Sequence, residues 1–423
     1  MERKKIKQHG YFKLIIASLI IGFSCSILAF TLKHLTEFFE HKIFNAVTNI
    51  NPAIFVLLPT IGITSIYFLR KYLFKNRKNK GITEIYKTID QRKDHLPIFK
   101  IPSHFFNGFL TVIFGGSTGI EVSTVVATAA VGNITYEKEF SARMFKKELV
   151  CAGVTAGVAI LFTNPLAGWL FAMEVIARKM SKTLIISCSV SAFVAWLFIL
   201  FFNESALLPY NIAKWNFDAI PFFLLLSLFG GLLSVYFTLL VTRSKYLFSK
   251  ISNNFLKVNI GALLVGLMIF YFPSLYGDSY HGLKEILQGG LNNYTISILL
   301  LLALMFLKPL AAALTLGAGG DGGVFAPSIV AGAFLGLLFA KFFNSYFDTH
   351  LVLVNFALVG AAATLSASLY APFTSLILIC GLIPNGYSLF VPVLMSCFLA
   401  QIFSKRILPY NVYTYDFYLT SKT

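Results

Sequence analysis

From Leu351 to Ser404 the chain runs for 54 residues without an Asp, Glu, Lys or Arg. A bilayer-spanning helix needs about 20 apolar residues, so this one stretch has room for more than one passage and cannot be the surface of a water-soluble globule. Leu14 to Leu32, with 19 residues, and Ala219 to Thr242, with 24, are also free of charge. Backbone groups in hydrocarbon must bond internally, which leaves helices or a closed barrel. Barrel strands alternate polar and apolar residues, and runs such as Phe222-Phe223-Leu224-Leu225-Leu226 do not. The expectation is an all-α polytopic membrane protein. Only 13% of the residues are charged, whereas an ordinary soluble protein carries about 25%.

The formal net charge of +17 would suggest a nucleic-acid partner in a soluble chain. Here the basic residues flank the apolar runs, as the positive-inside bias of membrane proteins requires, and no nucleic-acid partner is expected. Arg3, Lys4, Lys5 and Lys7 precede the first run; Arg70-Lys71 through Lys80, Arg178-Lys179 with Lys182, and Arg243 through Lys250 adjoin later ones. These clusters mark the cytoplasmic side and, with Lys405, Arg406 and Lys422, predict that both termini are cytoplasmic. The first apolar run continues past any small-residue cleavage pattern, so it reads as an uncleaved first helix. A single transmembrane domain is expected over 1–423, with approximate halves 11–205 and 215–418 and no soluble regulatory domain. Cys25, Cys151, Cys188, Cys380 and Cys397 stand in apolar surroundings without metal-ligand spacing and read as small core residues.

Two segments share an unusual composition. Gly115-Gly116-Ser117-Thr118-Gly119-Ile120-Glu121-Val122-Ser123 is followed by Pro165-Leu166-Ala167-Gly168, and Gly319-Gly320-Asp321-Gly322-Gly323-Val324-Phe325-Ala326-Pro327 by Pro372-Phe373-Thr374-Ser375. Glycine-rich breaks placed equivalently in two apolar halves point to an inverted repeat with a site near the bilayer midplane. A helix that begins inside the membrane leaves up to four amide N–H groups without intrahelical partners and exposes the positive end of its dipole. Such an end attracts an anion without burying a lysine charge. For either run alone a kink or a tight helix contact is as good a reading. The Gly317–Gly323 stretch is no phosphate loop, since neither a Gly-Lys-Ser/Thr nor a strand pattern accompanies it.

At these residues the sequence resembles the CLC family of chloride channels and proton-coupled chloride transporters. Gly317-Ala318-Gly319-Gly320-Asp321-Gly322-Gly323-Val324-Phe325-Ala326-Pro327 is similar to the family's GSGxxGGxFxP segment, with Lys308 ahead of it where the family tends to keep a lysine. Asn164-Pro165-Leu166-Ala167-Gly168, Ala371-Pro372-Phe373-Thr374 and Leu399-Ala400-Gln401 resemble further family segments in order. The resemblance implies a CLC-type inverted repeat with tilted and re-entrant helices, assembled as a homodimer with one anion pathway per subunit. It implies chloride or another small anion as substrate, protons as a second one if the chain is an exchanger, and no cofactor. Gly323, Val324 and Phe325 would bind the anion through their amides. A tyrosine of the last helix would meet it from the cytoplasmic side, Tyr413 in one register and Tyr410 in a slightly shifted one.

Glu121 stands where the family reads GREGP. An ionised carboxylate at a helix start mimics the anion and competes with it, and protonation removes the competition, so the resemblance makes Glu121 both gate and proton carrier. Ile120, Val122 and Ser123 replace the usual Arg, Gly and Pro. In Asn79-Lys80-Gly81-Ile82-Thr83-Glu84, similar to the family's GSGIPE segment, Gly81 and Ile82 fall at anion-binding positions and Lys80 replaces a serine. Lys80 would draw in anions or, the preferred reading, snorkel into the cytoplasm. Val175 occupies the place of the inner proton-transfer glutamate of many exchangers. Neighbouring Glu174 could serve instead, although a structural role suits it better. Channel and exchanger both stay open. The competing class is a cation-coupled solute symporter, with Asp321 as its cation ligand; between glycines, Asp321 fits a turn better. No enzyme motif of the HExxH, GxSxG or paired-aspartate kind is present, and no enzyme is expected.

Overall fold

The computed structural model describes residues 2–75, 77, 79–90, 95–139, 145–210, 212, 214–291 and 297–422; side chains of the basic start, and Lys78, lie outside that description. The secondary structure is helical throughout the described residues. The first eight helices are α1 (Glu2–Ile50), α2 (Leu58–Phe68), α3 (Ile82–Asp90), α4 (Lys100–Ile113), α5 (Glu121–Glu139), α6 (Lys146–Leu161), α7 (Pro165–Phe171) and α8 (Lys182–Phe201). There follow α9 (Ile220–Ser249), α10 (Asn254–Tyr271), α11 (Tyr280–Leu291), α12 (Ile298–Ala318), α13 (Phe325–Phe347), α14 (Leu353–Leu369), α15 (Pro372–Gly381), α16 (Phe390–Ile407) and α17 (Tyr415–Lys422). Among the described residues, eight helices are long and apolar enough to cross a membrane, while Pro165–Ala177, Leu353–Leu369 and Pro372–Gly381 are apolar but shorter.

The chain sorts into two compact units, one made of Met1–His34, Asn79–Phe105 and Glu121–Leu207, the other of Leu35–Lys78, Phe106–Ile120 and Leu208–Thr423. In the first, Leu14, Ile21, Cys25 and Ala29 of α1 pack with Leu149, Ala152, Ala156 and Ile160 of α6 and with Ala195 of α8. In the second, α13 and α14 come into backbone contact. A Cβ on Gly336 would lie 1.9 Å from the Phe356 carbonyl oxygen, and one on Gly360 would lie 2.3 Å from that of Gly332. Small residues four apart are how membrane helices approach where no hydrophobic effect drives them together.

The first helix differs from its sequence reading in length. The charge-free run Leu14 to Leu32 suggests one passage, yet α1 continues as a single helix to Ile50. Lys33 does not end it because the ammonium meets Glu204 Oε2 at 2.5 Å, and Glu204 Oε1 is 2.6 Å from His34 Nε2. A charge that finds a part-buried partner of opposite sign need not lie at a helix end.

Proline sets where the short helices begin. α7 has Pro165 in its first turn, where a missing N–H costs nothing, and the Asn164 side chain accepts from the Ala167 amide at 3.1 Å. Asn164→Ala is expected to cost about 1 kcal/mol, visible as a lower unfolding temperature in detergent. α15 likewise starts on Pro372. α7 runs on into a π-helical turn at Ala172–Ala177, which contains Glu174 and the buried Val175; such turns recur at functional sites.

Candidate functional site

The two glycine-rich breaks are related by a constant offset of 204 residues, which places His104 on Lys308, Thr111 on Thr315, Gly116 on Gly320 and Glu121 on Phe325. In the second unit both breaks are turned in the same way. The Gly116 amide bonds back to the Thr111 carbonyl at 2.7 Å, and the Gly320 amide to the Thr315 carbonyl at 2.9 Å. The next amide in each loop crosses to the other repeat. Ser117 N–H donates to Thr315 Oγ1 at 3.1 Å, and Asp321 N–H donates to Thr111 Oγ1 at 2.9 Å. Each loop therefore has one amide held by a threonine 198 or 210 residues away.

After this clasp the second loop delivers Val324 as the N-cap of α13 and Phe325 as its first residue, both buried. Gly319, at φ +110°, makes the left-handed turn that ends α12 and starts the loop. The Val324 amide meets the Tyr413 hydroxyl at 3.3 Å. Tyr413 is itself 6% exposed. Of the two candidate tyrosines this is the one that reaches the helix start. Tyr410 instead lies with its ring tilted against those of Tyr415 and Tyr418, and its carbonyl accepts from the Tyr370 hydroxyl.

Sequence reasoning did not single out Asn411, which presents Tyr413. Its Oδ1 accepts from the amides of Tyr413 and Thr414, both at 3.0 Å, while its Nδ2 donates to the Leu369 carbonyl at 3.0 Å. The Asn-x-Tyr-Thr spacing of an Asx turn was the available signal.

In the first unit, Glu121 opens α5 and is 4% exposed. Ile82 opens α3, fully buried, behind Gly81 at φ +63°. A Cβ on Gly81 would touch Val122 Cγ1 at 3.4 Å, so the starts of α3 and α5 are neighbours. The Lys80 side chain is exposed, and its amide donates to Glu84 Oε1 at 2.5 Å. Glu174 is part-buried within its π-helical turn. Asp321 is buried, and Arg70 donates to the Gly319 carbonyl of the same loop at 2.9 Å. The five cysteines are buried free thiols.

Residues 61–405 match the model of the voltage gated chloride channel family. The chain is 28% identical to the voltage-gated ClC-type chloride channel ClcB of Shigella flexneri over 315 residues, 72% of each chain, and equally to that of Escherichia coli strain K12 / DH10B. In fold it is similar to the crystal structure of a CLC-type fluoride/proton antiporter, with TM-score 0.80 and 22% identity over 95% of this chain and 97% of that one. It is likewise similar to a slow cyanobacterial Cl-/H+ antiporter, with TM-score 0.80 and 20% identity over 96% and 97% of the two chains. The all-helical fold is that of the CLC transporters. A buried helix start that ends a glycine-rich loop, faced by a tyrosine from the C-terminal segment, thus sits in a chain that belongs to the voltage gated chloride channel family, multi-pass membrane transport proteins and not enzymes.

Proposed function

We propose that the chain carries chloride, or a small anion of similar chemistry, across the membrane, with Glu121 as gate and proton carrier. The meeting of the Val324 amide with the Tyr413 hydroxyl at a buried helix start is the observation that carries this reading. The Val324 amide donates to the hydroxyl oxygen; an anion that enters between them takes both the N–H and the O–H as donors, and the positive end of the α13 dipole adds to their field. The Gly323 and Phe325 amides extend that set, and in the first unit the amides of Gly81 and Ile82 at the α3 start are assigned to anion binding by the family resemblance. An ionised Glu121 at the start of α5 carries the same charge as the anion and competes with it; a proton removes the competition. We further propose a homodimer with both termini cytoplasmic, in line with the basic clusters that flank the apolar runs.

The cation-symporter reading fits less well, because Asp321 lies in a glycine loop tied by its amide to Thr111 Oγ1, and a guanidinium, that of Arg70, donates to the Gly319 carbonyl of the same loop. Val175 carries no proton, so coupled exchange would need Glu174 or water to complete the inner route. The decisive measurement is the voltage at zero current across vesicles holding opposed chloride and pH gradients. The expected voltage follows the anion gradient, and a voltage blind to chloride overturns the proposal. A displacement by the pH gradient identifies exchange, and its absence identifies a passive pathway.

A further inference from the structure

The start of α3 carries a contradiction in its own charges. Glu84 lies in the first turn of the helix whose amides are proposed to hold an anion, and a bare carboxylate there would repel the substrate. Four residues of the same unit deal with it. Lys100, at the start of α4 and with its side chain 5% exposed, places its ammonium 2.7 Å from Glu84 Oε2 and donates to Oε1 at 2.9 Å. The same ammonium donates to Asn79 Oδ1 at 3.1 Å, and Asn79 Nδ2 donates to Ser103 Oγ at 3.0 Å. The Glu84 carboxylate also accepts the Lys80 amide, which folds it back onto the turn that precedes the helix. Glu84 is therefore neutralised and pinned by a cation that arrives from a different helix, 16 residues on.

We infer that Lys100 is a positioning residue for the anion pathway: it cancels and fixes Glu84, so that the amides of Gly81 and Ile82 keep the positive field of the helix start. This rests on the reading of that start as an anion site. It predicts an effect on affinity and not on turnover, since Lys100 faces the carboxylate of Glu84.

The test is anion flux into vesicles reconstituted with the full chain, measured against anion concentration. Lys100→Met is expected to raise the half-saturating concentration about tenfold while leaving the maximal flux per folded protein within about twofold. The double variant Lys100→Met/Glu84→Gln is expected to return it to the parent value, and Glu84→Gln alone to lower it. A merely structural pair would change the amount of folded protein and leave half-saturation where it was. If Lys100→Met does not fold, the comparison of Glu84→Gln with the double variant carries the test, because the double variant leaves no buried charge unpaired. Equal half-saturation in all folded variants overturns the inference. Absence of anion flux in the parent protein overturns the anion reading instead, and is seen before any variant is made.

Discussion

Glu121→Gln is expected to leave anion flux in place and to abolish its response to a proton gradient. Glutamine keeps the shape and hydrogen-bonding reach of the side chain at the buried start of α5 but neither titrates nor carries a charge. The competitor for the anion disappears, and with it the group that loads a proton. In vesicles with an imposed pH step and no chloride gradient, the parent protein should move anion in proportion to the step if it is an exchanger, and the variant should move none. With a chloride gradient alone the variant should conduct at any pH. A proton-driven anion movement that survives in Glu121→Gln would remove Glu121 from the mechanism. Glu121→Asp, which keeps the charge on a shorter arm, should retain a pH response.

The second large effect is on stability. Lys308→Met is expected to cost about 3 kcal/mol or more, at roughly 1–3 kcal/mol for each buried acceptor left without its donor. Lys308 is fully buried, and its ammonium uses all three donors, to Ser117 Oγ at 2.9 Å, the Gly277 carbonyl at 3.0 Å and Ser279 Oγ at 2.7 Å. Buried Glu40 approaches the same turn. Glu40 reaches the turn because residue 277 is glycine: a Cβ there would lie 1.8 Å from Glu40 Oε1. Methionine fills the volume of lysine but strands three acceptors. Thermal unfolding in detergent reads the loss. Lys308→Gln, which keeps N–H donors on the side chain, should recover part of it, and a Lys308→Met variant as stable as the parent would show that the network contributes nothing.

The helix starts were legible because they depend on local chemistry. Glycine breaks, prolines in first turns and uncharged runs act within a few residues, so the starts at Pro165, Val324-Phe325 and Pro372 can be read directly. Tyr413 needed the fold: Tyr410 and Tyr413 are equivalent as sequence, and only the Asx turn at Asn411 decides which one reaches Val324. The true extent of α1 was hidden for a related reason. Lys33 looks like the end of a passage until its partner is known, and that partner, Glu204, lies 171 residues away. The Lys100–Glu84 pair belongs with these, since two common residue types 16 apart carry no signal until α3 and α4 are packed.

The crossed threonines have a bearing on how the protein is made. Thr315 Oγ1 holds the Ser117 amide across 198 residues of chain. The ribosome therefore releases the loop before Glu121 into the membrane long before its clasp exists. During that interval the Ser117 amide must be satisfied by water, lipid headgroups or a chaperone, and the first break is completed only once α12 has been synthesised and inserted. Truncation anywhere upstream of Thr315 leaves this knot half tied, and the two halves expressed as separate polypeptides should regain it only by meeting in the same bilayer.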